Sequence, residues 1–144
     1  MTEENKKSEV SLRSLLTPSK TVSIDYPEYS GFTIDLCYLA REELVKLRNR
    51  CVTQKLNKKT RGFEEMLDDE KFLTEYTKAV IKGWKGLKVK YLQKMVLIDA
   101  GSLDPETELP FSLENAELLM QNSTGFDQWV TETTQDLENF TMLK

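Results

Sequence analysis

Neighbouring carboxylates are the first candidates for catalytic chemistry in this sequence. They occur at Glu42-Glu43, Glu64-Glu65 and Asp68-Asp69-Glu70. General acid–base catalysis by two carboxylates requires an environment that separates their pKa values. Acidic residues at the start of a helix have a simpler role, because they interact favourably with the positive end of the helix dipole. We therefore predict no catalytic residues among these pairs.

The segment from 99 to 108 is the candidate for a metal site. Its acidic residues, Asp99, Asp104, Glu106 and Glu108, offer the oxygen ligands that Ca²⁺ and Mg²⁺ prefer. The spacing of an EF-hand loop, with ligands at alternate positions followed by glycine, is absent. We predict no metal site and no cofactor.

Other enzyme classes are excluded by composition. The chain of 144 residues contains no histidine, which removes Ser-His-Asp and Cys-His catalysis and histidine metal ligands. Its two cysteines, Cys37 and Cys51, are too few for a zinc site made of cysteines alone and are expected to be reduced and buried. The glycines of the segment 82–86 match neither a P-loop nor a dinucleotide fingerprint. The sequence thus predicts a protein that is not an enzyme.

A run of six lysines between residues 78 and 94 is interleaved with Trp84 and Tyr91. Basic residues with aromatics can track a nucleic-acid backbone and stack on bases. The overall pI of about 5.0 argues against a dedicated nucleic-acid-binding protein. A nucleic-acid-binding regulator therefore stays only as an alternative.

Charge is distributed unevenly along the chain, whose net charge is −4. Residues 1–98 carry 19 basic and 14 acidic residues, whereas residues 99–144 carry 1 basic and 10 acidic residues. Such a distribution is compatible with head-to-tail association of copies, with partners of either sign, or with ordinary solvated helix faces.

The elements that must position any site begin with a hairpin. Apolar and polar residues alternate over 21–26 and over 32–37, which predicts two half-buried strands joined by a turn. A hairpin alone is marginal in water, so we expect helices, or strands of another subunit, to cover its apolar face. Residues 1–19 are predicted to form a mobile N-terminal tail, in which Leu12, Leu15 and Leu16 make a helical turn that docks on a single domain over 20–144.

Helical periodicity dominates the rest of the chain. It predicts helices over 39–56, from the N-cap Asp68 to Trp84, over about 88–95, from the N-cap Ser112 to about 120, and from Ser123 or Thr124 to 140. Residues 57–62 are predicted to be an exposed connector, 63–67 a short turn and 99–110 a loop. The predicted fold class is α+β and helix-dominated: an N-terminal β-hairpin followed by four or five mostly amphipathic helices. No stretch of 18 apolar residues exists, so no membrane partner is expected.

Four segments together resemble the tail assembly chaperones of long-tailed bacteriophages. They are residues 38–44, the aliphatic-x-x-Trp-x-Gly-aliphatic motif at 81–87, the Pro-Phe-Ser-x-Glu-Asn helix start with paired leucines within 108–119, and the segment 125–140 with Trp129. The resemblance covers roughly residues 20–140. The lysine-rich stretch 88–94 is longer than in that family.

The resemblance implies a non-enzymatic chaperone in the host cytoplasm, absent from the mature virion. Its partners would be the tape measure protein, which it keeps soluble, and the tail tube protein, whose polymerisation it assists; copies of the chain could also associate. The alternative is a structural or connector protein of the tail that stays in the virion. A groove for the apolar stripe of a tape measure helix is expected to involve five aromatic residues. These are Phe72, Tyr76, Trp84, Phe111 and Trp129.

Overall fold

The computed structural model describes residues 10–141. These residues form seven helices and five strands in two sheets, about 45% helix and 25% strand. In chain order the elements are α1 (Leu12–Leu15), β1 (Ser19–Asp25), β2 (Thr33–Leu39), α2 (Arg41–Arg50), β3 (Val52–Asn57), β4 (Gly62–Leu67), α3 (Asp69–Val80), β5 (Ile81–Lys85), α4 (Val89–Met95), α5 (Leu113–Asn122), α6 (Thr124–Gln135) and α7 (Glu138–Thr141). The predicted helix-dominated chain with one N-terminal hairpin is therefore wrong, because residues 52–57, 62–67 and 81–85 are strands.

The N-terminal hairpin is confirmed. Strands β1 and β2 pair antiparallel, with Val22 opposite Leu36 and Ile24 opposite Ile34. Ile34 and Leu36 are fully buried, as alternation along a half-buried strand requires. The face is covered from within the chain, because α3 and α6 pack on β2.

Strand β5 extends the hairpin to a three-stranded sheet in the order β1-β2-β5. It pairs antiparallel with β2, with Trp84 opposite Ile34 and Ile81 opposite Leu36. The predicted helix to Trp84 instead ends at Val80. The free edge of β2 explains the difference, since pairing with it satisfies backbone groups that would otherwise lack partners.

Glycine is required where β5 ends. Gly86 has φ +78°, and a Cβ there would lie 2.0 Å from the carbonyl oxygen of Gly31. Only glycine has no side chain to clash at such an approach and adopts a positive φ at low cost. Gly83 thus lies within β5, and Gly86 forms the turn directly after it.

The second sheet is the hairpin of β3 and β4, where a helix end and a turn were predicted. Helix α2 stops at Arg50, and the base of the hairpin is closed by a 2.8 Å hydrogen bond from the amide of Asp68 to the carbonyl of Cys51. The β-branched Val52 and Thr53 favour a strand there. At the far end Leu56 and Phe63 pair across the strands and are both exposed.

Helix starts follow the predicted capping residues. The side chain of Asp68 accepts a hydrogen bond from the amide of Lys71, Ser112 caps α5, and Ser123 caps α6. All three caps and the helix over 88–95 are confirmed. Each side-chain oxygen satisfies one of the free amides of a first helical turn.

The C-terminal helix is broken, where one continuous helix was predicted. Helix α6 ends at Gln135, and the carboxylate of Asp136 accepts a hydrogen bond from the amide of Glu138, where α7 begins. Phe140 on α7 is fully buried, whereas Leu137, between α6 and α7, is exposed. A short polar side chain that binds nearby backbone competes with helix continuation.

One apolar cluster draws its residues from Tyr26 to Phe140. A polar link crosses it, since the Tyr76 hydroxyl of α3 lies 2.8 Å from the Thr134 hydroxyl of α6. Burial raises the pKa of Tyr76. Both cysteines are free and buried, as predicted.

The N-terminal helical turn is present but not docked. Leu12, Leu15 and Leu16 are 68%, 62% and 67% exposed, so the predicted packing on the body is wrong. The mobility predicted for residues 1–9 concerns residues outside the described part of the chain.

The Thr77 hydroxyl gives a stability prediction. It is buried and has no hydrogen-bond partner within residues 10–141. Thr77→Val replaces this hydroxyl by a methyl of similar volume and is expected to raise the free energy of unfolding by about 1 kcal/mol. Thr134→Val is the matched control, and it should lower that free energy by about 1 kcal/mol because it removes the partner of Tyr76. Urea denaturation measures both, and a destabilised Thr77→Val variant would contradict the assignment.

Candidate partner-binding groove

An open apolar groove of about 570 Å³ lies between α4 and α5. We call it the α4–α5 groove. It is lined by Leu92, Val96, Leu97, Ile98, Leu109, Asn115, Leu118, Leu119 and Asn122. Seven of these nine side chains are apolar, which is the composition of a site for an apolar ligand or helix face.

The α4 wall is positioned by β5 and by the returning segment 105–110. The amide of Val89 donates to the carbonyl of Thr107 at 2.8 Å, and the amide of Leu109 donates to the carbonyl of Leu87 at 2.7 Å. The indole Nε1 of Trp84 donates to the carbonyl of Leu109 at 2.9 Å. These bonds hold Leu109 at the floor of the groove, between the end of the sheet and α4.

One carboxylate fastens the returning segment to α4. Glu106 lies 2.7 Å from the Nζ of both Lys88 and Lys90. Hydrogen bonds from these two ammonium groups lower the pKa of Glu106 to about 2. The same pairing raises the pKa of Lys88. The three charges form a small network, which is more effective than an isolated surface pair.

The α5 wall is set by its helix start. The side-chain amide of Asn115 donates to the carbonyl of Pro110 at 3.0 Å, next to the Ser112 cap. Both Leu118 and Leu119 border the groove. Leu119 is 3% exposed and belongs to the core, whereas Leu118 is 48% exposed. Adjacent leucines on a helix point about 100° apart, so one of the two faces outward.

The groove is not closed by any described residue of the chain. Leu97 is fully exposed, and Ile98 and Leu118 each keep more than 40% of their surface exposed. A contiguous exposed apolar surface with polar surroundings is typical of an interaction site.

The two helices differ in charge, but none of their charged side chains lines the groove. Helix α4 carries Lys90, which pairs with Glu106, and Lys94, which lines a separate pocket. Helix α5 carries Glu114 and Glu117 and no basic residue.

The acidic residues considered as cation ligands bind the chain itself. Asp99 accepts from the amide of Gly101, Asp104 from the amide of Glu106, and Glu108 from the amide of Gly86. Within residues 10–141, no three His, Cys, Asp or Glu side chains lie close enough to hold a metal ion. Nor does any helix in that range have the length and apolar character needed to cross a membrane.

The five predicted partner-binding residues do not lie in one groove. Tyr76 and Trp84 are buried, while Phe72, Phe111 and Trp129 are partly buried and pack against the core. Phe72 stacks on Tyr76, and Phe111 meets Trp84 edge to face. Trp129 instead packs against Tyr26, at a centroid distance of 4.8 Å. None of the five lines the α4–α5 groove.

The aromatics of the lysine run are also engaged within the chain. Trp84 is buried, and Tyr91 donates to the carbonyl of Ser30 at 2.7 Å and stacks on Tyr29. Neither ring is free to stack on a base, which weakens the nucleic-acid alternative.

The family model described as YdaY prophage protein matches residues 40–142. The chain belongs to this family. It is thus a phage-derived protein, and the matched region includes both walls of the groove. No curated protein and no solved structure matches the chain.

Sequence reasoning missed the groove because its exposed residues, Leu97, Ile98 and Leu118, lie off the predicted apolar stripes. The available signals were the apolar pair Leu97-Ile98 just after α4, and the doubled Leu118-Leu119 on α5. When two large apolar residues are adjacent on a helix with one buried face, only one of them can point into the core, and the other lies on a different surface. Which member is exposed depends on the packing of the helix.

The Glu106 network predicts a pH dependence. Because the pKa of this carboxyl is lowered from 4.5 to about 2, its contribution to stability is complete above pH 4.5 and is lost as the pH falls towards 2. Glu106→Gln removes this contribution. The difference in urea midpoint between wild type and variant should be largest near neutral pH and should disappear near pH 2.

The matched control is the variant with both Lys88→Gln and Lys90→Gln, which removes the two cations that pair with Glu106. In that background Glu106→Gln should change the midpoint little at any pH. An equal midpoint difference for Glu106→Gln at all pH values would contradict the role given to the ion pairs.

Proposed function

We propose that this protein is a non-enzymatic phage tail assembly chaperone that holds an amphipathic helix of the tape measure protein in the α4–α5 groove. The observation that carries the proposal is the groove itself, an open apolar surface that includes the exposed side chains of Leu97, Ile98 and Leu118. Membership of a prophage protein family supports the phage context.

The shape and charge of the groove suit a helix. Apolar residues of both α4 and α5 line the groove, so a third helix lying in it would contact both walls with its apolar residues at i, i+3 and i+4. A helix that repeats apolar residues in this way commonly carries charged residues of both signs beside its stripe. Glu114, one turn before Leu118 on α5, can pair with a basic residue of such a helix.

The groove is small, which suits a binding contact that must later be released. Seven apolar side chains cover a short piece of helix and leave most of a long partner to other copies. In this proposal the complex forms in the host cytoplasm, the tail tube protein displaces the chaperone during polymerisation, and the mature virion does not contain it.

Substitution in the groove tests the proposal. Leu118→Asp places a charge in the apolar wall and is expected to weaken binding of the tape measure protein at least about tenfold. Leu118 is 48% exposed, so the variant should keep its fold. Co-expression of the phage tail proteins with the tagged variant, followed by pull-down and mass identification of the partners, measures the effect.

The matched control is Leu137→Asp, because Leu137 is 52% exposed and lies outside the groove. This control should capture the tape measure protein as wild type does. If Leu118→Asp and wild type capture equal amounts of the tape measure protein, the groove is not its binding site. Recovery of the protein from purified virions in stoichiometric amounts would instead favour a structural tail component.

A further inference from the structure

A second unpartnered apolar surface lies at the N-terminal end of the described chain. Leu12, Leu15 and Leu16 occupy the i, i+3 and i+4 positions of the turn that contains α1, and all three are more than 60% exposed. Val10 just before them is 60% exposed. We call residues 10–16 the leucine segment. Large apolar residues clustered in this way are costly to leave in water.

The leucine segment and the α4–α5 groove lie at opposite ends of the three-stranded sheet. The segment enters the sheet where Ser19 pairs with Leu39 and the carbonyl of Pro18 accepts from the amide of Ala40. Helix α4 contacts the other end, where the Tyr91 hydroxyl donates to Ser30 in the loop between β1 and β2. The seven residues of β1 separate these two ends by roughly 20 Å.

This separation prevents the segment from filling the groove of its own chain. Only Thr17 and Pro18 lie between Leu16 and β1, so the Cα atoms of Leu16 and Ser19 are at most about 11 Å apart. Proline also restricts the backbone at this point. While α1 keeps its helical turn, the apolar surface at one end of the sheet and the apolar groove at the other therefore meet between two copies.

Charge favours the same contact. The described residues 10–20 include Arg13 and Lys20 and no acidic residue, whereas α5 has Glu114 one turn before Leu118 and carries no basic residue. Opposite charges beside an apolar contact favour one orientation of the partner.

We propose that the leucine segment of one copy binds in the α4–α5 groove of the next copy. The contact joins different surfaces of the two molecules, so it is heterologous and produces a ring or an open chain. In so far as the groove binds the tape measure protein, which rests on the proposed function above, self-association shields the groove until a longer partner helix displaces the segment.

A mixing experiment tests the contact. Leu15→Asp impairs the segment and leaves the groove intact, whereas Leu118→Asp impairs the groove and leaves the segment intact. Each variant alone should self-associate at least about tenfold more weakly than wild type. Their mixture should form a one-to-one dimer that grows no further, because only one functional segment and one functional groove remain. Sedimentation velocity measures the species, and Leu137→Asp is the control that should associate as wild type does.

The outcomes separate this proposal from the proposed function. A wild type that stays monomeric, variants that associate as wild type does, or a mixture that forms no dimer would overturn the self-association contact, whatever the pull-down shows. Self-association as described, combined with no capture of tape measure protein, would overturn the chaperone function alone. If both hold, Leu15→Asp should capture the tape measure protein more strongly than wild type, because competition for the groove is removed.

Discussion

The antiparallel pairing of β5 with β2 is the constraint on which the rest of the structure depends. It turns a marginal hairpin into a three-stranded sheet and brings Trp84 opposite Ile34 in the core. It also determines where the chain goes next, because Gly86 passes close to Gly31 and directs α4 to the loop end of the hairpin. Without this pairing the backbone of residues 81–85 would need other partners, and α4 would have no defined position.

The groove follows from that placement. The indole of Trp84 donates a hydrogen bond to the carbonyl of Leu109. Glu106, in the same returning segment, pairs with Lys88 and Lys90 at the start of α4. One wall is thus fixed by β5 and its neighbours and the other by the capped start of α5. Walls held by backbone and side-chain bonds keep an apolar surface open in water, where a looser arrangement would collapse on itself.

The same sheet gives the molecule two unlike ends. One end presents the exposed leucine segment and the other presents the groove, about one strand length apart. The proposed self-association contact and the proposed binding of a helical partner would therefore compete for the same groove.

Several features of this protein are determined by residues that lie close together in the sequence. The alternation over 21–26 and 32–37, the caps at Asp68, Ser112 and Ser123, and the absence of histidine were sufficient to predict the first hairpin, three helix starts and the loss of whole classes of catalysis. These features depend on residues within a few positions of one another.

Tertiary contacts decided the rest. Residues 81–85 continue the apolar spacing of α3, yet they form a strand because they pair with the free edge of β2. Residues 52–57 and 62–67 show little alternation of apolar and polar residues, yet they pair as a second hairpin. The aromatic residues expected to line a site became core, because large apolar groups are buried wherever a surface can cover them. Whether Leu118 or Leu119 faces outward depends on how α5 packs on α3 and α6, and such long-range packing is not encoded in the spacing of neighbouring residues.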